Sequence, residues 1–121
     1  MRNFRDLKVW EKAHQLTLAT YQVTKRFPKD ELYGITTQLR RASVSTPCNI
    51  AEGCGRFTDR DFARFLDIAG GSASETEYLF LVSKDLGYCG EDEFVRLASE
   101  VNEVKRMLNS FTQKLRAGTN T

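Results

Sequence analysis

Proline occurs only twice and glycine eight times in 121 residues, which excludes collagen-like and low-complexity chains and leaves few points where a helix is forced to stop. Cysteine is as sparse. Cys48, Cys54 and Cys89 form no CxxC pair, and an odd number in a chain with no leader signature reads as reduced thiols at small core or turn positions, not as zinc ligands or a redox couple. There is one histidine, His14, expected to pack or cap beside the first helix. The N-terminal MRNFRDLKVW lacks an uninterrupted apolar stretch, and no run approaches the ~18 apolar residues of a membrane span, so a soluble cytoplasmic protein with no membrane partner is expected. An excess of one charge is also missing. With 18 Lys and Arg against 16 Asp and Glu, a net charge of +2 does not by itself announce a nucleic-acid binder. The charge is nevertheless uneven: residues 1–60 hold 11 basic and 6 acidic side chains, net +5, and residues 61–121 hold 7 and 10, net −3.

What the sequence does have is helical periodicity, with no period-two alternation long enough for a sheet. Phe94, Leu97, Val101, Val104, Leu108, Phe111 and Leu115 step by three and four, as do Val9, Ala13, Leu16, Thr20, Val23 and Phe27. Helices are expected over about 5–26, 31–55, 59–86 and 91–116. Pro28 stops the first and Asp30 is a candidate N-cap for the second, in which Pro47 should produce a kink. Thr58–Asp61 resembles a capping box for the third, and Gly87 ends it. Four helices with short loops make a single all-α domain, an antiparallel up-down-up-down four-helix bundle over 1–121.

The second helix carries a polar ridge. Gln38, Arg41, Ser45, Asn49, Glu52 and Arg56 fall within an arc of roughly 80°. The opposite face, Val44, Pro47, Ala51 and Cys54, is apolar or small, so two faces of this helix are expected to be covered, one by the bundle and one by another subunit. A turn near residue 58 sets Arg41 level with Glu75, Glu52 with Arg64, Asn49 with Asp67 and Ser45 with Gly71. Gly70 and Gly71 each cost a helix about 1 kcal/mol relative to Ala, and a tight helix crossing is the expected reason. The ridge can be read as a cleft or as a structural salt-bridge network. The level partners favour the network, with at least one pair mostly buried. No nucleophile–base pair accompanies the ridge, and the arginines between Glu52, Asp67 and Glu75 would repel a metal ion, so catalytic, cofactor and metal residues are all expected to be absent.

The run QLRRASVSTPCNIAEGCGR at 38–56, with DLKVWEKAHQL before it and FARFLDIAGGSASETEYL and LGY after it, resembles the four-helix bundle family of proteins encoded in intervening sequences of 23S ribosomal RNA genes, some of which carry a ribosomal-protein label. The likeness spans about residues 4–90. Thr46 stands where a hydrophobic residue is usual in that pattern. The resemblance implies a homopentameric ring and a similarity to the accessory variability determinant of diversity-generating retroelements, a basic partner of reverse transcriptase and nucleic acid. It implies no established enzymatic activity.

Three functions separate on these grounds. The leading one is a non-enzymatic, oligomeric accessory protein that binds the RNA or DNA backbone through a basic first-helix surface, with Arg5, Lys8, Lys12, Lys25 and Arg26 as candidate contacts and a reverse transcriptase or other ribonucleoprotein as a further partner. A ring would multiply the +5 half-chain excess to roughly +25 and collect the acidic Glu91, Asp92 and Glu93 elsewhere. The alternative is a protein-interaction scaffold without nucleic acid. An enzyme is the weakest of the three.

Overall fold

A computed structural model describes residues 2–119. Four long helices make up the bundle: α1 (Lys8–Thr24), α2 (Thr37–Cys54), α3 (Asp59–Asp85) and α4 (Glu91–Thr119). No strand occurs among the described residues. A 3-10 turn, Phe4–Asp6, precedes α1.

The apolar seams define the interior. Val9, Ala13, Leu16, Thr20, Val23 and Phe27 are all buried, as are Leu97, Val101, Val104, Leu108 and Leu115, while Phe94 and Phe111 are half-buried at the margin. One cluster joins Leu16, Leu39, Phe80 and Val101, and a second joins Ala13, Ile50, Phe62 and Leu108. Each fully buried Leu or Phe side chain contributes about 1.5–3 kcal/mol. Side-chain contacts between neighbouring helices run in opposite numerical senses. Thr17 reaches Ser43 and Thr24 reaches Arg40 between α1 and α2. Between α3 and α4, Lys84 meets Glu91, Glu77 meets Lys105 and Asp67 meets Arg116.

Two helix ends follow local rules closely. Thr58 Oγ1 accepts from the Asp61 amide at 3.1 Å, which caps α3. At the other end Gly87, at φ 82°, lets the Tyr88 amide donate to the Ser83 carbonyl at 2.8 Å and the Gly87 amide to Lys84 at 2.9 Å, the paired bonds of a Schellman stop. The start of α2 differs from expectation. Lys29–Glu31 forms a 3-10 turn and Leu32–Thr36 a π-helical turn in which Gly34 leaves helical geometry (φ −112°, ψ −119°), so the α-helix begins at Thr37 and Asp30 caps nothing.

Pro47 lies inside α2 without ending it. Its ring nitrogen has no hydrogen, so the Ser43 carbonyl one turn earlier loses its helical donor. The Thr17 hydroxyl on α1 donates to that carbonyl at 2.7 Å in the buried α1–α2 seam. A side chain thereby replaces a backbone bond and ties the two helices together.

Candidate functional site

The polar ridge of α2 does not form the expected network. Gln38, Arg41 and Ser45 line an open cleft of about 530 Å³ with Tyr33, Gly34, Thr37 and Glu75. Arg41 and Glu75 share this cleft, yet no ion pair joins them and both are exposed. Glu52 and Arg64 do not meet either. Arg56 takes Glu52 one turn back at 2.7 Å and approaches Asp61 at 3.7 Å, while Arg64 pairs with Asp61 at 3.0 Å. Asn49 turns to Ser45, donating to its carbonyl at 2.8 Å, and Asp67 is taken by Arg116. The expected α2–α3 register itself holds to within one residue: the Ser45 hydroxyl lies 2.8 Å from that of Ser72, next to Gly71. The level pairs fail because residue numbers fix height along a bundle but not direction around a helix. At the rim, Glu52 and Arg64 take partners three or four residues away in the chain, and Asp67 turns to α4. None of these ion pairs is buried, so each contributes only about 0–1 kcal/mol.

The glycine pair is a second departure. A Cβ built on Gly70 or Gly71 would meet nothing within 4 Å, so no helix of this chain presses on them. The close approach lies at Gly53, where a Cβ would stand 2.6 Å from Phe62 Cδ1 and 3.0 Å from Phe65 Cβ. The outer face of α3 carries Arg64, Ile68, Gly71, Glu75 and Tyr78 at four- and three-residue steps, within about 80° of arc. Ile68 is 41% exposed and Tyr78 62%. This face adjoins the cleft that holds the unpaired Arg41 and Glu75.

The candidate nucleic-acid contacts on α1 do not form one basic stripe. Lys12 is paired with Glu103 at 3.1 Å and Arg26 with Glu93 at 2.5 Å. Lys8 and Lys12 also line a mixed-charge cleft with Glu11, Glu100 and Glu103. The acidic residues of α4 therefore do not all gather elsewhere: Glu93 sits against Arg26, because α4 packs along α1. Arg5 lies 4.6 Å over the Phe4 ring and Lys25 is exposed near the C-terminal end of α1. Positive charge concentrates at one end of the bundle, where the start of α1, the α2–α3 turn and the last turns of α4 bring Lys8, Arg60 and Lys114 together with the paired Arg2, Arg56, Arg64 and Arg116.

Sequence reasoning missed Arg106 and Lys114 on α4, which line a groove beside Lys8. Their spacing with Ser110, four residues apart each time, was a legible signal, but the net acidity of the second half of the chain hid it. It also missed Tyr33 and Phe57, 94% and 91% exposed at opposite ends of the α2 segment. His14 stacks on Trp10, ring centroids 5.0 Å apart and planes 7° from parallel. Burial pushes the Cys54 and Cys89 thiols above their ordinary range, whereas Cys48 is exposed. Among the described residues no group of three or more His, Cys, Asp and Glu side chains could hold a metal ion, and no helix is long and apolar enough to cross a membrane.

Fold and surfaces together define a four-helix bundle whose distinctive chemistry lies on its outer faces: unpaired opposite charges beside an uncovered small-residue helix surface, and cations gathered at one end. The chain belongs to the 23S rRNA-intervening sequence protein family, which matches residues 5–110. Its fold is similar to the crystal structure of a protein of unknown function from the S23 ribosomal protein family of Bacteroides thetaiotaomicron, at 22% identity and a TM-score of 0.80, covering 86% of this chain and 97% of that one. No curated protein matches the chain.

Proposed function

We propose that the chain is a non-enzymatic cytoplasmic accessory protein, an up-down-up-down bundle that assembles with copies of itself and binds the backbone of RNA or DNA. The observation that carries this reading is the α2–α3 face. Mid-helix glycines with open space beside them cost about 1 kcal/mol each and gain nothing within one chain, whereas a second backbone can approach there closely. Arg41 and Glu75, unpaired in one copy, offer opposite charges to another. The opposite numerical sense of the interhelical contacts supports the up-down order. The resemblance to the retroelement accessory proteins supports five copies in a ring and a reverse transcriptase or another ribonucleoprotein as a further partner. A ring would repeat the basic end of the bundle around one axis and raise its field.

Fluorescence anisotropy with labelled RNA and DNA oligonucleotides tests the function. Log affinity should fall linearly with log salt between ~50 and ~200 mM. A second reading, a protein-interaction scaffold, draws on Tyr33 and Phe57, since exposed aromatic side chains are common anchors of protein interfaces. Absence of nucleic-acid binding at low salt, together with salt-insensitive capture of a protein, would replace the first reading by the second.

A further inference from the structure

The geometry points to the groove between the start of α1 and the C-terminal half of α4 as the seat of a single-stranded nucleic-acid backbone, an inference that rests on the nucleic-acid reading above and gives it a place. The groove holds about 490 Å³. Lys8, Arg106 and Lys114 supply its charge, and Leu7, Met107 and Phe111 line it with apolar surface. No carboxylate lines it.

Half of the 18 lysines and arginines already pair with carboxylates among the described residues, Arg2 and Arg116 among them. Lys12, Arg26, Arg56, Arg64, Lys84, Arg96 and Lys105 each pair with a carboxylate. Lys8, Arg106 and Lys114 pair with none among the described residues, and they converge on one depression. Like charges brought together without a counterion oppose folding, so their convergence favours an external anion. Arg106, Ser110 and Lys114 stand four residues apart on α4, a row of hydrogen-bond donors about 12 Å long, with Lys8 contributed from α1.

The apolar lining selects among anions. A duplex keeps its bases stacked inside and offers a groove only phosphate and sugar, whereas a single strand can lay a base against Phe111 or Met107 while its phosphates take the three cations. An acidic peptide offers charges on flexible arms without a flat ring beside each one. The adjoining cleft, which Lys8 also lines, holds Glu11, Glu100 and Glu103 and would repel the same strand.

The test uses the full chain and a labelled single-stranded RNA of about 20 nucleotides, longer than the ~4–16 nucleotides that such grooves usually cover. The triple variant Lys8→Gln, Arg106→Gln, Lys114→Gln is compared with Lys29→Gln, Arg96→Gln, Lys105→Gln, which removes the same charge from other surfaces. Circular dichroism and the oligomeric mass confirm that both remain folded and assembled. The groove variant should lose at least tenfold in affinity, and its salt slope should become shallower by about 2, the value for three lost phosphate contacts on a single strand. The control should stay within about threefold of wild type. Equal loss in both variants, or an unchanged groove variant, would overturn the site while leaving nucleic-acid binding intact. Duplex RNA bound as tightly as the single strand would overturn the assignment of strand type, and polyglutamate displacing RNA at equal charge concentration would give the groove to an acidic protein. No binding by the wild type at low salt would remove the nucleic-acid reading itself, and this site with it.

Discussion

Replacing Thr17 by Val removes one hydroxyl and leaves almost everything else in place, because the two side chains have nearly the same shape. The lost hydroxyl is the group that donates to the Ser43 carbonyl at 2.7 Å, the carbonyl that Pro47 deprives of its helical partner. Ser43 is 1% exposed, so water cannot readily take over. A buried acceptor left without a donor costs about 1–3 kcal/mol. Urea denaturation followed by helical circular dichroism, at one fixed protein concentration because assembly also contributes, should register that loss as a lower midpoint with an unchanged slope. The decisive comparison is a double-mutant cycle. Pro47→Ala restores an amide at position 47 that can donate to Ser43 itself, so Thr17→Val in that background should cost at least about 1 kcal/mol less than in the wild type. Equal costs in the two backgrounds, within the ~0.5 kcal/mol of ordinary additivity, would refute the idea that Thr17 compensates for the proline.

Gly53→Ala should destabilise the bundle by about 1–3 kcal/mol despite the better helix propensity of Ala, since the new Cβ meets Phe62, itself 2% exposed and packed edge-on against Phe111; a gain in melting temperature would show that the α2–α3 crossing can open freely. Iodoacetamide in native buffer should alkylate the exposed Cys48 first and reach Cys54 and Cys89 only on unfolding, as mass spectrometry of timed samples would reveal; equal rates at all three would contradict the burial. Because burial raises the Cys54 and Cys89 thiols in the folded chain, the unfolded chain releases those protons first. Stability should therefore fall as pH rises through and above the ordinary thiol range, and a Cys54→Ala, Cys89→Ala variant should show a weaker fall.

The parts of this structure legible in the sequence are those governed by burial and by short-range backbone rules. The seams of α1 and α4 announce themselves because Leu16 or Val104 must face inward at every turn, and Gly87 and Thr58 mark helix ends because the stop and the cap are made within a few residues. The start of α2 was less legible. Gly34 permits a break from helical geometry, but the surrounding apolar spacing still reads as helix. Charge partners were the least legible. Arg41 and Glu75 share a cleft but do not join, and Arg56 reaches Glu52 and Asp61 because at a solvated rim the nearest flexible side chain prevails over one level with it across the bundle. The net charge of each half of the chain misled for a related reason: folding lays acidic α4 along basic α1, so Glu93 and Glu103 neutralise Arg26 and Lys12. Small residues at Gly70 and Gly71 were visible in the sequence, but composition alone does not say whether a surface approaches from the same chain or from another.

Multi-angle light scattering of the full chain at micromolar concentration, with and without Gly71→Gln, tests assembly through the α2–α3 face most directly. Within one copy the substitution has open space around it and improves helix propensity, so the isolated bundle should be no less stable. The wild type should scatter as five copies of the 13.8 kDa chain, about 69 kDa, and the variant should fall toward the monomer with its helicity intact. A wild type at 13.8 kDa, or a variant that keeps the wild-type mass, would contradict an interface on that face.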